Sequence, residues 1–342
     1  MIPRLDIQFP FRRQWNYWFG KSYEPHEGEY LLNHARSGII LALRASLPNG
    51  GKVGVVAYNC HTVANAVANA GCTPVFIDVT DELKINVEAL PADLDAIVVT
   101  NLFGIRNDIS ALRTKCPKAI IIVDNAHGYG LPAEGDFTVY SINQGKFPAL
   151  GEGGILIVNS AICNSQSSIE AMYSQLPSYG FFAQVKLFCS MILKALVYSR
   201  CVYWLTRLLK RELGASGFEI SGKVSMRKMA LGVRRLYNAW LPSADEAVAA
   251  QKQNAERISG LGVSGLVDEW LVGENAFMLI ARCENPEELK KWFAARGVET
   301  ATHFAHAIEW ATEFGYLPGS CPKAEKLTKH LLMIPTYVGS NP

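Results

Sequence analysis

An acidic residue and a lysine stand out because each follows an apolar run. Asp124 ends the run 119–123, and Lys146 lies in a polar turn after the run 137–141. A lysine amine can form a Schiff base with an aldehyde or ketone. Pyridoxal phosphate is a cofactor held in that way, and its ring nitrogen needs an acid partner to stay protonated. Asp124 and Lys146 would fit these two roles. The spacing alone leaves open a surface lysine in a loop and an acid that caps a turn.

The runs beside the two residues predict strands of a parallel sheet. Residues 119–123, 137–141 and 155–158 are short and mostly apolar, which is typical of strands buried on both faces. In open α/β sheets, ligands bind beyond the carboxyl ends of the strands. We therefore expect Asp124 and Lys146 to lie at one cleft.

Upstream runs extend the predicted sheet. Residues 53–57, 75–78 and 95–100 read as strands, and residues 62–70 read as a helix between the first two. Residues 34–38 precede a predicted helix at 39–47. The free N–H groups at such a helix start offer a phosphate site, and an ordinary N-cap is the alternative.

Three motifs in fixed order resemble the DegT/DnrJ/EryC1/StrS family of sugar aminotransferases. They are Val123-Asp-Asn-Ala-His127, Tyr140-Ser-Ile-Asn-Gln-Gly-Lys146 and Gly151-Glu-Gly-Gly154. Weaker matches at 72–78, 302–304, 321–325 and 333–337 extend the resemblance over most of the chain. It implies the pyridoxal phosphate-dependent fold type I, an α/β fold. A mostly parallel central sheet carries helices on both faces, in a large cofactor-binding domain with an N-terminal arm (1–240). A small α+β domain follows (241–342).

The resemblance also assigns roles to single residues. Lys146 would hold the cofactor and move protons, and Asp124 would hold the proton of the ring nitrogen. Arg36, Ser37 and Ser141 would hold the phosphate. His127 would lie near the ring hydroxyl. The full set of cofactor-binding positions is Arg36, Ser37, Cys60, His61, Asp124, His127, Ser141, Asn143, Lys146 and Ser221. No metal is expected.

Four positions depart from the family pattern. Arg36 replaces a threonine, and Asn101 replaces a histidine. Cys60 stands where relatives carry the aromatic residue that stacks on the ring, so His61 could supply a ring instead. An ordinary helix start at Cys60 and His61 is the alternative. Ser221 replaces the asparagine that usually reaches the phosphate of the neighbouring subunit. These changes keep open a protein of the same fold that binds without transaminating, or that serves as a regulatory partner.

The function implied by the resemblance is amino transfer from glutamate or glutamine to a nucleotide-linked keto sugar. Such reactions serve the biosynthesis of surface polysaccharide, including lipopolysaccharide, or of natural-product sugars. The family also implies a homodimer. Members of the superfamily with histidine at the lysine position are dehydratases, and Lys146 argues against that branch.

Composition and charge restrict the classes of binding partner and the cellular compartments that the sequence allows. The chain has 342 residues and a net charge of +2, which indicates no nucleic-acid footprint. Its eight cysteines show no CxxC spacing, which is typical of thiols in a reducing compartment. The N-terminus lacks the apolar core of a signal peptide. These features predict a cytoplasmic protein.

Residues 180–211 form an unusual apolar and basic stretch. They predict a helix whose basic arc contains Lys186, Lys194, Arg200, Arg207 and Arg211. The apolar runs are shorter than the roughly 18–20 residues of a membrane span. Two interpretations remain open: a helix that rests on the inner, anionic membrane face, and a core or subunit-interface helix.

The last third of the chain predicts alternating helices and strands. Residues 226–260 predict a helix with a break at Pro242. Residues 275–281 predict a strand, and residues 286–297 predict a helix that a glycine ends.

Overall fold

The computed structural model describes residues 9–159, 165–199, 220–263 and 265–337. Its central strands are β1 (Glu29–Leu32), β2 (Lys52–Val56), β3 (Thr73–Ile77), β4 (Ala96–Thr100), β5 (Ile120–Asn125), β6 (Phe137–Ser141) and β7 (Gly154–Val158). They form one seven-stranded sheet in the order β1-β7-β6-β5-β4-β2-β3. The neighbours from β3 to β6 pair in parallel, and β7 pairs antiparallel with both β6 and β1. The predicted mostly parallel sheet is confirmed.

The helices of this part of the chain are α1 (Phe11–Phe19), α2 (Ala35–Ser46), α3 (His61–Asn69), α4 (Ile109–Lys115), α5 (Gln166–Ser174), α6 (Phe181–Val197) and α7 (Leu231–Trp240). Three of them, α2, α3 and α4, connect strands of the sheet, while α1 precedes β1 and the other three follow β7. Asp108 caps α4, because its side chain accepts hydrogen bonds from the N–H groups of Ser110 and Ala111.

Both faces of the sheet are covered, because successive side chains of a strand point to opposite faces. Along β5, Ile121 and Val123 pack into one core together with Leu112 of α4. Ile122 points the other way, into a core that contains residues of α2, α3 and α5. This double burial explains why β5 reads as a continuous apolar run rather than an alternating one.

A second, three-stranded antiparallel sheet lies in the C-terminal region, with the order β10-β9-β8. The elements there are α8 (Ala244–Ser259), β8 (Glu269–Val272), β9 (Met278–Arg282), α9 (Pro286–Ala295), α10 (Ala307–Thr312), α11 (Pro322–His330) and β10 (Leu331–Pro335). Met278 and Met333 share a core with Val99 and Val123, so this region packs directly onto the central sheet. The boundary between 240 and 241 falls at a 3₁₀ turn and stays a prediction.

Two predicted elements need correction. Residues 226–230 are not helical, and α7 begins only at Leu231; the break at Pro242 is present. The strand predicted from 275 begins at Met278, because Ala276 adopts a left-handed conformation with φ of 48°, which a strand cannot contain.

The apolar and basic stretch 180–211 is described only in part. Its first half is helix α6, and Arg200, Arg207 and Arg211 lie outside the described residues. Among the helices that the structure describes, none combines the length and the hydropathy that crossing a bilayer requires.

Candidate active site

A cleft of about 160 Å³ opens at the carboxyl ends of the central strands. Thr100 ends β4 and lies in register with Asp124 of β5, while Ser141 ends β6. The first turn of α2 and the start of α3 close the other side. Seven of the predicted site residues line this cleft: Arg36, Cys60, Asp124, His127, Ser141, Asn143 and Lys146.

Three predicted residues do not line the cleft. The hydroxyl of Ser37 is fully buried and donates a hydrogen bond to Asn33 Oδ1 at 2.9 Å, so it faces away. The ring of His61 packs edge-on against Trp310 at a centroid distance of 5.1 Å. Ser221 is exposed at the edge of a separate cavity lined by its neighbours Ile220 and Gly222. The positions of their side chains therefore do not support the phosphate role of Ser37 or the ring-stacking role of His61, and the cross-subunit role of Ser221 stays a prediction.

Asp124 is buried at the floor of the cleft. Its Oδ1 accepts the N–H of Ala126 at 3.0 Å, and its Oδ2 accepts the hydroxyl of Thr100 at 3.3 Å. Asn59 donates to Thr100 Oγ1 at 2.8 Å and so orients that hydroxyl. Burial raises the pKa of Asp124, although these donors and Lys146 favour the charged form. A carboxylate held with so few partners would be stabilised by a cationic group in the cleft.

His127 and Lys146 form the second part of the site. The backbone N–H of Phe103 donates to His127 Nδ1 at 3.2 Å, so the proton of a neutral ring must sit on Nε2. That nitrogen lies 2.7 Å from Lys146 Nζ. The ring is stacked between Phe103 and Phe304 at centroid distances of 5.3 and 5.9 Å, which fixes its orientation.

This tautomer determines the charge of the lysine. Since His127 Nε2–H is a donor, Lys146 Nζ must accept, and only a neutral amine has a lone pair for that bond. A charged ammonium would instead force the ring proton onto Nδ1, against the N–H of Phe103. Burial lowers the pKa of Lys146, and burial is also the main reason why the pKa of His127 lies well below its ordinary value. The tautomer of His127 and the burial of Lys146 therefore both favour the neutral amine, which is the form that acts as a nucleophile or base.

Arg36 marks the opposite end of the cleft, in the first turn of α2. Its Nε is buried, and within the described residues its guanidinium has neither a hydrogen-bond partner nor an ion-pair partner. The positive end of the helix dipole lies at the same place. An unpaired arginine at a helix N-terminus is suited to bind an anion of high charge, such as a phosphate group.

A polar network ties this end to the glycine-rich turn. Asn143 Oδ1 accepts the N–H of Gly153 at 2.7 Å, and Asn143 Nδ2 lies 3.2 Å from His34 Nδ1. His34 Nε2 lies 3.1 Å from Glu152. Position 154 requires glycine, because a Cβ there would collide with the backbone of His34. Asn143 therefore lines the cleft and also connects it, through its hydrogen bonds, to His34 and the glycine-rich turn.

Cys60 lies at the N-cap of α3. Burial would raise the pKa of its thiol, but contacts with His61, Lys146 and Thr62 outweigh burial and lower it to about 7. Thr62 donates to its sulfur at 3.1 Å. The cleft therefore contains a polarisable thiol at the position where the family resemblance implies an aromatic ring.

Sequence reasoning missed several residues that complete the site. Thr100 and Asn59 hold Asp124, while Phe103 and Phe304 hold His127. Thr100 could have been found, because it ends the strand that neighbours Asp124. Asn101, the replacement for the family histidine, bonds to Asn125 Oδ1 at 2.7 Å and to Asn107, so its hydrogen bonds stay within the protein.

Part of the chain matches a known protein family. Residues 31–180 match the family model of the DegT/DnrJ/EryC1/StrS aminotransferase family. This part of the chain belongs to that family. The matched range contains every residue of the cleft described above except Phe304. No curated protein sequence matches the chain.

Solved structures of DegT/DnrJ/EryC1/StrS proteins have the same fold. Spr1654 of Streptococcus pneumoniae, a proposed sugar aminotransferase in its PMP form, has a TM-score of 0.68 at 16% identity and covers 95% of this chain and 85% of its own. CalS13, a sugar aminotransferase from Micromonospora echinospora, has a TM-score of 0.67 at 15% identity, with 98% and 95% covered. The aminotransferase TlmJ from Streptoalloteichus hindustanus has a TM-score of 0.67 at 18% identity, with 91% and 81% covered.

The residues of the cleft fit pyridoxal phosphate. A buried carboxylate at Asp124 suits a protonated ring nitrogen. The neutral amine of Lys146 suits the aldehyde. Arg36, whose guanidinium has no partner among the described residues, suits the phosphate. The three groups lie in one cleft of the family's aminotransferase region, at the strand ends where a cofactor of this fold belongs.

Proposed function

We propose that this protein is a pyridoxal phosphate-dependent aminotransferase that moves an amino group from glutamate or glutamine to a nucleotide-linked keto sugar. The observation that carries the proposal is the contact of Lys146 Nζ with His127 Nε2 at 2.7 Å, in the same cleft as Asp124. The contact favours the neutral amine of Lys146, and Asp124 is the acid in the same cleft. Amino transfer needs both groups.

Each residue has a task in the reaction. Bound pyridoxal phosphate would supply an electron sink next to the carbon that gains or loses a proton. Asp124 keeps the proton on the ring nitrogen. Lys146 takes a proton from one substrate atom and returns it to another, and its lowered pKa favours the neutral amine that this step needs. His127 holds the amine of Lys146 in place, and Arg36 anchors the phosphate.

The choice of a sugar acceptor has separate support. The family resemblance implies a nucleotide-linked keto sugar, and the similar structure of DesI was determined in the presence of its TDP-sugar product. The role in surface polysaccharide or natural-product biosynthesis follows from the same resemblance. The working form in this proposal is a homodimer, and a fully active monomer in sedimentation at micromolar concentration would contradict that part.

A spectroscopic experiment tests the reaction. The purified protein with pyridoxal phosphate should absorb near the edge of the visible range, because the cofactor is bound to Lys146. Addition of L-glutamate or L-glutamine should bleach this absorbance, and a keto-sugar nucleotide should restore it. Lys146→Ala should show no such absorbance, while Lys118→Ala, at an exposed site outside the cleft, should behave like the wild type.

The outcomes separate the two hypotheses. Absorbance that no amino donor bleaches would favour the alternative, a protein of the same fold that binds the cofactor without transaminating. Bleaching by an amino acid with no turnover of any keto-sugar nucleotide would support the aminotransferase activity and contradict the sugar acceptor. A screen of keto-sugar nucleotides is the decisive step for the acceptor.

A further inference from the structure

Two neighbouring helices expose large apolar side chains that the active site does not use. Seven such side chains of α1 and α6 have exposed fractions between 56% and 86%. They are Phe11, Trp15, Phe19, Phe181, Phe182, Leu193 and Leu196. We call this set the α1–α6 face. An exposed apolar surface of this kind on a folded protein marks an interaction site.

The side chains lie in stripes along each helix. Phe11, Trp15 and Phe19 follow one another at i, i+4 and i+8, so they share one side of α1. The rings of Trp15 and Phe19 contact each other at a centroid distance of 4.5 Å. On α6, Phe182, Leu193 and Leu196 fall within an arc of roughly 60° at 100° per residue. Each helix therefore presents a continuous apolar stripe to its surroundings.

Buried contacts hold the two helices together, so the stripes belong to one rigid unit. Tyr17 is fully buried and its hydroxyl donates to the carbonyl of Gln184 at 2.9 Å. Trp18 contacts the rings of Phe181 and Phe188 at 6.2 and 5.3 Å. These contacts are made by the inward sides of both helices. The exposed stripes are therefore surface features of two helices that are already packed together.

The charged side chains on the two helices themselves are all basic, although Glu152 of the glycine-rich turn interacts with Lys194. Arg12, Lys21, Lys186 and Lys194 are exposed, and none of them forms an ion pair within the described part of the chain. The segments 9–23 and 181–197 contain no aspartate or glutamate. Two helices that present aromatic side chains together with lysine and arginine, and that carry no acidic residue, are complementary to an anionic, partly apolar partner.

We propose that the α1–α6 face rests on an anionic lipid membrane. Phe11, Trp15 and Phe182 would enter the boundary between headgroups and acyl chains, while Lys186 and Lys194 would contact the anionic headgroups. A second copy of this chain is the less favoured occupant. A two-fold interface pairs a patch with itself, and these exposed basic side chains would then face one another with no carboxylate on either segment. The proposal is independent of the aminotransferase activity.

Vesicle flotation tests the proposal without substrate or turnover. The full-length protein is mixed at low salt with vesicles of phosphatidylglycerol and phosphatidylcholine in equal amounts, and with vesicles of phosphatidylcholine alone. We expect flotation with the anionic vesicles only, and loss of it at high salt, because exposed charges are screened. Lys186→Glu with Lys194→Glu should lower the bound fraction at least about tenfold. The matched control, Lys118→Glu with Lys291→Glu, should float like the wild type.

A second variant tests the apolar stripe. Trp15→Ser with Phe19→Ser should reduce flotation on anionic vesicles, whereas Leu317→Ser, at an exposed leucine outside the face, should leave it unchanged. Sedimentation and thermal melting of the same samples report assembly and folding. Wild-type protein that stays at the bottom with anionic vesicles at low salt overturns the proposal. Equal flotation on phosphatidylcholine alone also overturns it. So does a Trp15/Phe19 variant that splits a dimer into monomers while vesicle binding is unchanged, because the second copy is then the occupant.

Discussion

Arg36 offers the sharpest test of the cofactor site, because its expected contribution depends on one chemical group of the ligand. The residue stands in the first turn of α2, and no described residue is a hydrogen-bond or ion-pair partner for its guanidinium. Arg36→Gln removes the charge and keeps a side chain of helix-forming type. We expect the variant to fold, since the arginine makes no hydrogen bond that the fold would lose.

The expected loss can be estimated from the type of contact. A hydrogen bond between a guanidinium and a charged acceptor is worth about 1.5–3 kcal/mol. At about 1.4 kcal/mol for each factor of ten, this corresponds to a loss of affinity of roughly 10- to 150-fold. The loss should appear for pyridoxal phosphate and be absent for pyridoxal, which has the same aldehyde and ring but no phosphate.

Titration of the cofactor-free protein, followed by absorbance near the visible edge, measures both affinities. Arg44→Gln is the matched control, since Arg44 lies in the last turn of the same helix and bonds to the carbonyl of Asn69 at 2.7 Å, outside the cleft. An equal loss for both ligands would mean that the substitution disturbs the cleft in general. An unchanged affinity for pyridoxal phosphate would remove Arg36 from the phosphate site.

Three further predictions concern the floor of the cleft. Lys146→Ala should abolish both the visible-edge absorbance and turnover, and retained turnover without an added amine would exclude Lys146 as the cofactor lysine. Asp124→Asn should still bind the cofactor but slow single-turnover amino transfer by about 10²-fold or more, because an amide cannot keep the ring nitrogen charged; near-normal rates would exclude the carboxylate. Because the pKa of Lys146 is lowered from 10.5, the unfolded chain binds more protons than the folded one between the folded-state pKa and 10.5. The stability of the cofactor-free protein should therefore gain a contribution as pH rises through that window, and Lys146→Met should lose this contribution; parallel melting curves for the two proteins would contradict it.

Much of the site could be predicted from sequence, for a physical reason. Strands buried on both faces read as continuous apolar runs, so β5 and β6 and the residues at their carboxyl ends are visible in one dimension. Asp124 and Lys146 follow such runs directly. Parallel strands end at one edge of a sheet, so the cleft itself could be inferred before any coordinates.

The tertiary structure alone decided the chemistry within that cleft. The proton position on His127 depends on the backbone N–H of Phe103, and the neutral charge of Lys146 follows from that proton. Ser37 and His61 were predicted as cofactor contacts from the family resemblance, yet their side chains face Asn33 and Trp310 instead. Sequence spacing tells where a backbone position lies, but the side-chain direction and its hydrogen-bond partner are set by packing between elements far apart in the chain.

The α1–α6 face also has one part that the sequence predicts and one part that only the folded structure shows. The sequence by itself determined that residues 180–211 are apolar and basic, because composition and helical period need only local information. It could not show that α1 lies beside α6, since Trp18 and Phe181 are 163 positions apart and meet only in the folded chain. Which side of an amphipathic helix remains exposed is decided by its partner, and only the tertiary structure supplies that partner.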